Sequence, residues 1–257
     1  MDWATSGGDG SNSSSLRLLT GDIHSKIYLT TATQSGFTTM AQPFTSHISS
    51  VEDLQWSPSE ATVFSSCSAD CSIRIWDVRV KSRKSALAIM PAHESDVNVI
   101  SWNRGTSYLL LSGGDDGSIK TWDLRNVKAY VSSSILSLVS FSQPVFSSST
   151  DPAPVASFTW HKAPITSIEW HPTEDSTFAA SGADDQVTLW DLAVEHDDDE
   201  TGGAAMQDDT TDDVPPQLLF VHQGQTDIKE LHWHPQIPGT VISTALDGFN
   251  VFKTISV

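Results

Sequence analysis

The sequence predicts an all-β propeller of about five blades, each blade being one copy of a repeated four-stranded unit. The first observation is a cassette of strand, turn and strand that ends in Trp-Asp and occurs three times. The second is that histidine, aspartate and tryptophan recur at constant spacings around each cassette. The third is the supply of nine Trp and ten Phe among 257 residues, which is enough to fill one large core.

The cassettes share a polar strand, a tight turn that contains aspartate, and a second strand in which apolar and polar residues alternate. They occupy Ser65–Arg79, Leu111–Arg125 and Ala180–Leu192. Alternation with a period of two is typical of a strand with one buried face. Because the cassette repeats, its residues must be interpreted column by column.

Each cassette tryptophan has a histidine 29 residues before it and an aspartate six residues before it. These columns contain His47, Asp70, Trp76, His93, Asp116, Trp122, His161, Asp184 and Trp190. A second tryptophan follows each histidine by nine residues. A four-stranded unit of about 40–45 residues that ends in Trp-Asp is typical of a WD-repeat propeller blade.

The columns predict a buried hydrogen-bond network, because a buried tryptophan N–H and both ring nitrogens of a buried histidine need partners. We expect the Trp N–H to reach a strand hydroxyl (Ser66 or Ser112), the hydroxyl to reach the histidine, and the histidine to reach the turn aspartate. In the third cassette Ala180 replaces the serine, so we expect an incomplete network there. Histidine, aspartate and serine can also form a hydrolase triad. Three copies at one spacing favour the structural interpretation, and we predict no enzyme and no catalytic, cofactor or metal site.

Both ends of the sequence resemble partial blades. Met1-Asp2-Trp3 matches the end of a first strand without its histidine, and Val251-Phe252 stands where Trp-Asp is expected. We assign His222 as the histidine of the last unit. The predicted units are residues 1–46, 47–92, 93–160, 161–221 and 222–257, and we expect an open ring.

Two inserts interrupt the repeat. Residues 126–155 are rich in serine and form either a lid or partner loop or the product of a misplaced exon boundary. Residues 195–213 carry nine carboxylates and no Lys or Arg. Such a charge block predicts a disordered loop, which either attracts a basic partner or is only solvated. Its carboxylates are Glu195, Asp197, Asp198, Asp199, Glu200, Asp208, Asp209, Asp212 and Asp213.

The formal net charge of −18 argues against direct nucleic-acid binding, which needs a basic surface, and favours a basic protein partner. The sequence shows no signal peptide and no run of about 18 apolar residues, so we expect a soluble intracellular protein without a membrane partner. Cys67 and Cys71 lack further ligands at zinc spacing and are predicted to be free thiols.

The sequence resembles the glutamate-rich WD-repeat proteins of eukaryotes in the segments VEDLQWSP, SCSADCSIRIWD, LLSGGDDGSIKTWDLR, ASGADDQVTLWDLAVE, KELHWHP and FNVFKTISV. The resemblance implies a seven-bladed propeller of the nucleus and nucleolus that chaperones a basic ribosomal protein during assembly of the large ribosomal subunit. The family is also similar to the retinoblastoma-associated histone-binding propellers, which implies a histone chaperone or chromatin-assembly subunit as the alternative. About two blades of the family are absent, so we expect a chain truncated at its amino terminus.

The resemblance also implies partner-binding residues. Asp96 and Asp227 lie just before first strands, at positions that face partners in related propellers. Arg79 and Arg125 each complete a Trp-Asp-x-Arg sequence, which resembles the box by which some propellers dock on the adaptor of a cullin ubiquitin ligase. A substrate receptor of such a ligase is therefore the third candidate function.

Overall fold

A computed structural model describes residues 1–4, 16–127, 152–194 and 214–254. Within these residues every regular element is a β-strand, and the strands form five antiparallel sheets. No helix in the described ranges is long and apolar enough to span a membrane. The prediction of an all-β fold made of repeated sheets is confirmed.

The sheets follow one another along the chain. The first contains β1 (Asp2–Ala4), β2 (Arg17–Gly21), β3 (Lys26–Thr33), β4 (Gly36–Thr39) and β5 (Phe44–Thr45). The second contains β6 (Val51–Trp56), β7 (Val63–Ser68), β8 (Ser72–Asp77) and β9 (Leu87–Ile89). The third contains β10 (Val97–Trp102), β11 (Leu109–Gly114), β12 (Ile119–Asp123) and β13 (Ala156–Phe158).

The fourth sheet contains β14 (Ile165–Trp170), β15 (Thr177–Gly182), β16 (Gln186–Asp191) and β17 (Leu218–Gln223). The fifth contains β18 (Glu230–Trp233), β19 (Thr240–Ala245) and β20 (Gly248–Lys253). Strands pair in chain order within each sheet, except that β4 and β5 both pair with β3. Each cassette is therefore a hairpin formed by the second and third strands of a sheet.

The sheets pack face to face in chain order, and the cassette tryptophans fill the space between them. Trp76 is fully buried and stacks on Phe64 with 5.8 Å between ring centroids. Its edge also meets Phe44, which lies in the outer strand of the first sheet. Trp190 likewise contacts Phe158 in the outer strand of the third sheet, with the two rings tilted and 4.6 Å between their centroids. Because the outer strand of one sheet covers the tryptophan of the next, the apolar core runs across sheet boundaries.

The first strands of the five sheets lie nearest the centre and line one cavity. Around it the assembly has two edges. The turn edge carries the cassette turns and the starts of the first strands, and the opposite edge carries the residues after the first strands and after each Trp-Asp.

The fourth sheet extends beyond the unit predicted for it. His222 lies in β17, opposite Val187 of β16, and its ring stacks on Phe252 with 4.1 Å between centroids. The assignment of His222 as the first network residue of the last unit is therefore wrong. The eleven residues from His222 to Trp233, against nine in the other units, reflect this different position.

Candidate functional site

The second sheet joins its tryptophan, serine, histidine and aspartate in one buried hydrogen-bond chain. Trp76 Nε1–H donates to Ser66 Oγ at 2.8 Å, and Ser66 Oγ lies 2.7 Å from His47 Nε2. His47 Nδ1 lies 2.9 Å from Asp70 Oδ2. When Ser66 donates to Nε2, the imidazole keeps its proton on Nδ1 and donates it to Asp70. This neutral tautomer satisfies every group in the chain.

The third sheet repeats this arrangement. Trp122 Nε1–H donates to Ser112 Oγ at 2.9 Å, and Ser112 Oγ lies 2.7 Å from His93 Nε2. His93 Nδ1 lies 3.1 Å from the carboxylate of Asp116, which also accepts a hydrogen bond from Ser118 Oγ at 2.7 Å. In both networks the polar atoms are hydrogen-bonded to one another, which is what a structural role requires.

The fourth sheet completes its chain with a different residue. His161 Nε2 lies 2.9 Å from Thr188 Oγ1, and Trp190 Nε1–H donates to the same oxygen at 2.8 Å. His161 Nδ1 lies 2.9 Å from Asp184. The expectation of an incomplete network is therefore wrong. Thr188 lies directly opposite Ala180 in the strand ladder, so its hydroxyl replaces that of the absent serine.

Burial and hydrogen bonding act in opposite directions on the turn aspartates. Burial alone would raise the pKa of Asp70, but hydrogen bonds from His47 and Ser72 outweigh it and hold this pKa well below its usual range. The same balance lowers the pKa of Asp116 and Asp184. Burial lowers the pKa of His47 despite the adjacent carboxylate. Near pH 7 the His47–Asp70 pair is therefore a neutral imidazole and a carboxylate.

The fifth sheet has different residues at the positions that form the hydrogen-bond network in the other sheets. Gln225 stands where the other sheets have the network histidine, and its side-chain carbonyl accepts a hydrogen bond from Ser243 Oγ. Phe252 lies opposite Val241, in the place of the cassette tryptophan, and has no N–H to satisfy. Because no tryptophan N–H needs a partner here, the hydrogen bond between the Gln225 amide and the Ser243 hydroxyl takes the place of the longer network.

The sequence did not predict a set of contacts that fasten each sheet to the next, which we call the inter-sheet latches. In each, the residue before a first-strand tryptophan accepts a hydrogen bond from the backbone N–H of the corresponding tryptophan in the next sheet. The pairs, at 2.5–3.2 Å, are Asp2 with Trp56, Gln55 with Trp102, Ser101 with Trp170 and Glu169 with Trp233. A carboxylate, an amide and a hydroxyl can each act as the acceptor, so no single residue type identifies the latch positions in the sequence.

The arginines of the two Trp-Asp-x-Arg sequences lie at the opposite edge in matching conformations. Each guanidinium binds the aspartate two residues before it, with Nη2 to Oδ2 distances of 2.6 Å for Arg79–Asp77 and for Arg125–Asp123. Arg125 also lies over the ring of Tyr108 at 3.5 Å. The Arg79 and Arg125 side chains remain 48% and 43% exposed, so each presents an oriented and accessible guanidinium.

The two aspartates predicted to face a partner lie at the turn edge in different surroundings. Asp227 forms an ion pair with Lys229 at 2.6 Å, and its backbone N–H donates to Asp185. Asp96 is partly buried, and its backbone carbonyl accepts a hydrogen bond from the N–H of Asp115 at 2.9 Å. The carboxylates of residues 195–213, and the insert 126–155 except its two ends, lie outside the described residues.

The two edges differ in charge over the described residues. The turn edge carries six cationic groups, those of Lys26, Arg74, Lys84, Lys120, Lys162 and Lys229, and thirteen carboxylates, which are Asp22, Glu52, Asp53, Asp70, Glu94, Asp96, Asp115, Asp116, Asp184, Asp185, Asp227, Glu230 and Asp247. The opposite edge carries six carboxylates, Glu60, Asp77, Asp123, Glu174, Asp175 and Asp191. These are balanced by Arg17, Arg79, Lys81, Arg83, Arg104, Arg125 and Lys253. The turn edge is therefore acidic, and the opposite edge is close to neutral.

The family model "WD domain, G-beta repeat" matches residues 38–77, 84–123 and 152–191. Each match ends at the Trp-Asp of one cassette, so the chain contains three WD repeats. A chain in a structure titled "Crystal Structure of Mitotic Checkpoint Complex" is similar in fold, with a TM-score of 0.66 and 20% identity over 94% of this chain and 58% of that one. At that identity the similarity concerns the propeller fold alone.

Three curated proteins match nearly the whole WD-repeat chain. It is 52% identical to "Ribosome assembly protein rrb1" of Schizosaccharomyces pombe, over 93% of this chain and 46% of that protein. It is 48% identical to "Glutamate-rich WD repeat-containing protein 1" of Dictyostelium discoideum, over 93% and 44%. It is 46% identical to "Protein HEAT STRESS TOLERANT DWD 1" of Arabidopsis thaliana, over 94% and 47%. These matches confirm the resemblance to the glutamate-rich WD-repeat proteins, and the chain spans about half the length of each relative.

Proposed function

We propose that this WD-repeat chain is a non-enzymatic scaffold that binds a basic large-subunit ribosomal protein and chaperones it during ribosome assembly in the nucleus and nucleolus. The observation that carries the proposal is the acidic turn edge. An edge with thirteen carboxylates and six cationic groups attracts a basic protein over a Debye length, roughly 8 Å at physiological salt, and speeds its encounter. The relative named as a ribosome assembly protein supports the choice of process.

The buried networks support the non-enzymatic part of the proposal. Each histidine that resembles a catalytic base is held between a hydroxyl and a carboxylate, and the hydroxyl also accepts a tryptophan N–H. A serine in that position is buried and occupied, so it has no access to a substrate. These residues stabilise the sheets and leave binding to the edges.

Affinity capture with the purified chain tests the proposal. We expect one large-subunit ribosomal protein to dominate the material captured from nuclear extract, and to be released when the salt concentration rises. A variant with Glu94→Lys and Asp96→Lys, both at the turn edge, should capture less of it. The matched charge reversal at the opposite edge, Glu60→Lys with Glu174→Lys, should leave capture unchanged. Capture dominated by core histones would favour the histone chaperone instead, and equal effects of the two reversals would contradict the role of the turn edge.

The paired arginines favour a second candidate function, docking on a cullin ligase adaptor. Arg79 and Arg125 present the same oriented guanidinium from neighbouring sheets at the opposite edge. An arginine held by its own aspartate loses less side-chain entropy on binding a partner. If docking occurs, Arg79→Ala with Arg125→Ala abolishes capture of the adaptor while capture of the basic protein persists. Unchanged adaptor capture would remove this candidate.

A further inference from the structure

Two isoleucines on the acidic turn edge are mostly exposed to solvent. Ile23 lies in the turn between β2 and β3 and is 77% exposed, and Ile48 lies just before β6 and is 80% exposed. The backbone N–H of Val51 donates to the carbonyl of Asp22 at 3.1 Å, so the turn that carries Ile23 lies beside the segment that carries Ile48. The two isoleucines therefore occupy one region of the turn edge, at the boundary of the first and second sheets, and we call them the isoleucine pair.

The fold does not require an apolar side chain at the position of Ile23. Ile23 is the first of three turn residues that follow Asp22, whose backbone N–H donates to the carbonyl of Lys26 at 3.0 Å. The first residue of the corresponding turn in the second, third and fourth sheets is Ala69, Asp115 and Ala183. Because small and charged residues occupy the same position in those sheets, an isoleucine exposed to water there does not stabilise the turn.

The position of Ile48 is equally independent of side-chain type. The residue after the network histidine is Ile48 in the second sheet, and it is Glu94 and Lys162 in the third and fourth sheets. In all three sheets the backbone N–H of this residue donates to the turn aspartate at 3.0–3.1 Å. The side chain takes no part in that hydrogen bond. An exposed isoleucine at this position therefore has no role in holding the sheet together.

The charges around the isoleucine pair indicate what kind of group can cover it. The carboxylates of Asp22 and Glu52 lie close to the pair in the chain. Cations in the same region are Lys26 and the largely buried Arg74. The turn edge as a whole carries thirteen carboxylates and six cationic groups. An apolar side chain flanked by cations is complementary to such a surface, because it covers the isoleucines while its neighbouring charges meet carboxylates.

We propose that the isoleucine pair binds an apolar side chain of the basic partner, one that is flanked by lysine or arginine in the partner's sequence. The inference rests on the proposed function for the basic chemistry of the partner, and it adds the place and the kind of an apolar contact. The carboxylates of the turn edge attract the partner and speed its association. Burial of the isoleucine pair then slows its dissociation.

The test compares two fluorescent ten-residue peptides of equal charge, whose affinities for the full chain are measured by fluorescence anisotropy. One peptide alternates Arg and Gly, and the other has Leu in place of two Gly residues near its middle. We expect the parent to bind the Leu peptide more tightly by about fivefold or more. This ratio should persist when the salt concentration rises, because salt screens charges and does not weaken apolar burial. Equal affinities of the parent for the two peptides would overturn the inference.

Substitutions at the isoleucine pair show whether the preference for Leu arises there. Ile23→Ser with Ile48→Ser should reduce the ratio of affinities to below about twofold and leave binding of the Gly peptide unchanged, since no charge is altered. Leu246→Ser is the matched control, because Leu246 is 78% exposed in the corresponding turn of the fifth sheet. Both variants should melt at the temperature of the parent, because the replaced side chains are exposed. A ratio that persists in the double variant, or that falls equally in Leu246→Ser, would contradict the assignment.

Capture from nuclear extract separates this inference from the proposed function. If the double variant captures as much ribosomal protein as the parent does, the inference fails and the proposed function stands. If the preference for the Leu peptide depends on the isoleucine pair but the parent captures no ribosomal protein, the apolar contact stands and the proposed function fails.

Discussion

Removing the hydroxyl of Thr188 should destabilise the fourth sheet more than any other loss of one buried oxygen there. Thr188→Val keeps the shape of the side chain and removes the atom that joins Trp190 Nε1 to His161 Nε2. Thr188 and Trp190 are fully buried and His161 is nearly so, so water does not replace the lost partner. A buried polar group without a partner costs about 1–3 kcal/mol. With two such groups left, we expect the free energy of unfolding to fall by about 2–4 kcal/mol.

Urea denaturation followed by tryptophan fluorescence measures the change, with an unchanged m value as evidence that the native state is otherwise the same. Thr121→Val is the matched control, since the Thr121 hydroxyl is buried in the third sheet and has no hydrogen-bond partner among the described residues. That substitution should leave stability unchanged or raise it slightly. Ala180→Ser should restore most of the loss in the Thr188→Val background, because it reproduces the serine of the second and third sheets. A loss below about 0.5 kcal/mol for Thr188→Val, or no rescue by serine, would refute the role assigned to the network.

Three further predictions concern acid stability, a turn and a latch. Because the pKa of Asp70 is lowered in the folded chain, the Asp70 carboxylate stabilises the fold above its ordinary pKa near 4, and this stabilisation is lost as the pH falls. The melting temperature of the parent should therefore drop between pH 5 and pH 3, and that of Asp70→Asn should drop less. An equal dependence of the melting temperature on pH in the two proteins would count against the His47–Asp70 pair. His234 Nδ1 accepts hydrogen bonds from the backbone N–H groups of Gln236 and Ile237 at 3.1 and 3.0 Å. In urea denaturation His234→Ala should lower the free energy of unfolding by about 1 kcal/mol, and His234→Asn should lower it much less. A larger loss for His234→Asn than for His234→Ala would contradict this role. Gln55→Leu removes the acceptor of the Trp102 N–H and should speed hydrogen exchange of that amide, whereas Gln55→Glu should not, and equal protection in the two variants would show that the latch adds nothing.

The repeat made most of the second and third sheets predictable. The spacing of His47, Asp70 and Trp76 correctly indicated a chain of hydrogen bonds, because each column must satisfy the same buried donors in every copy. The prediction for the fourth sheet was wrong because the hydroxyl comes from Thr188 and not from the serine position, which lies eight residues earlier and is Ala180. Residues that lie opposite each other in a hairpin share one small space, so either strand can supply the hydroxyl.

Features that connect different sheets were not predictable from the repeat. The latch between Gln55 and Trp102 spans 47 residues, and its acceptors have no common side chain. The end of the chain was misassigned because Gln225, which occupies the histidine position, does not match the expected residue type.

The most direct test of the account is to map which carboxylates of the chain contact the basic partner. A zero-length carbodiimide cross-linker joins a carboxylate to a lysine in contact with it, and mass spectrometry of the cross-linked complex identifies the pair. We predict cross-links from lysines of the captured ribosomal protein to turn-edge carboxylates such as Glu94 and Asp96, and few or none to Glu60 and Glu174. Cross-links concentrated on Glu60 and Glu174 would contradict the claim that the acidic turn edge binds the partner.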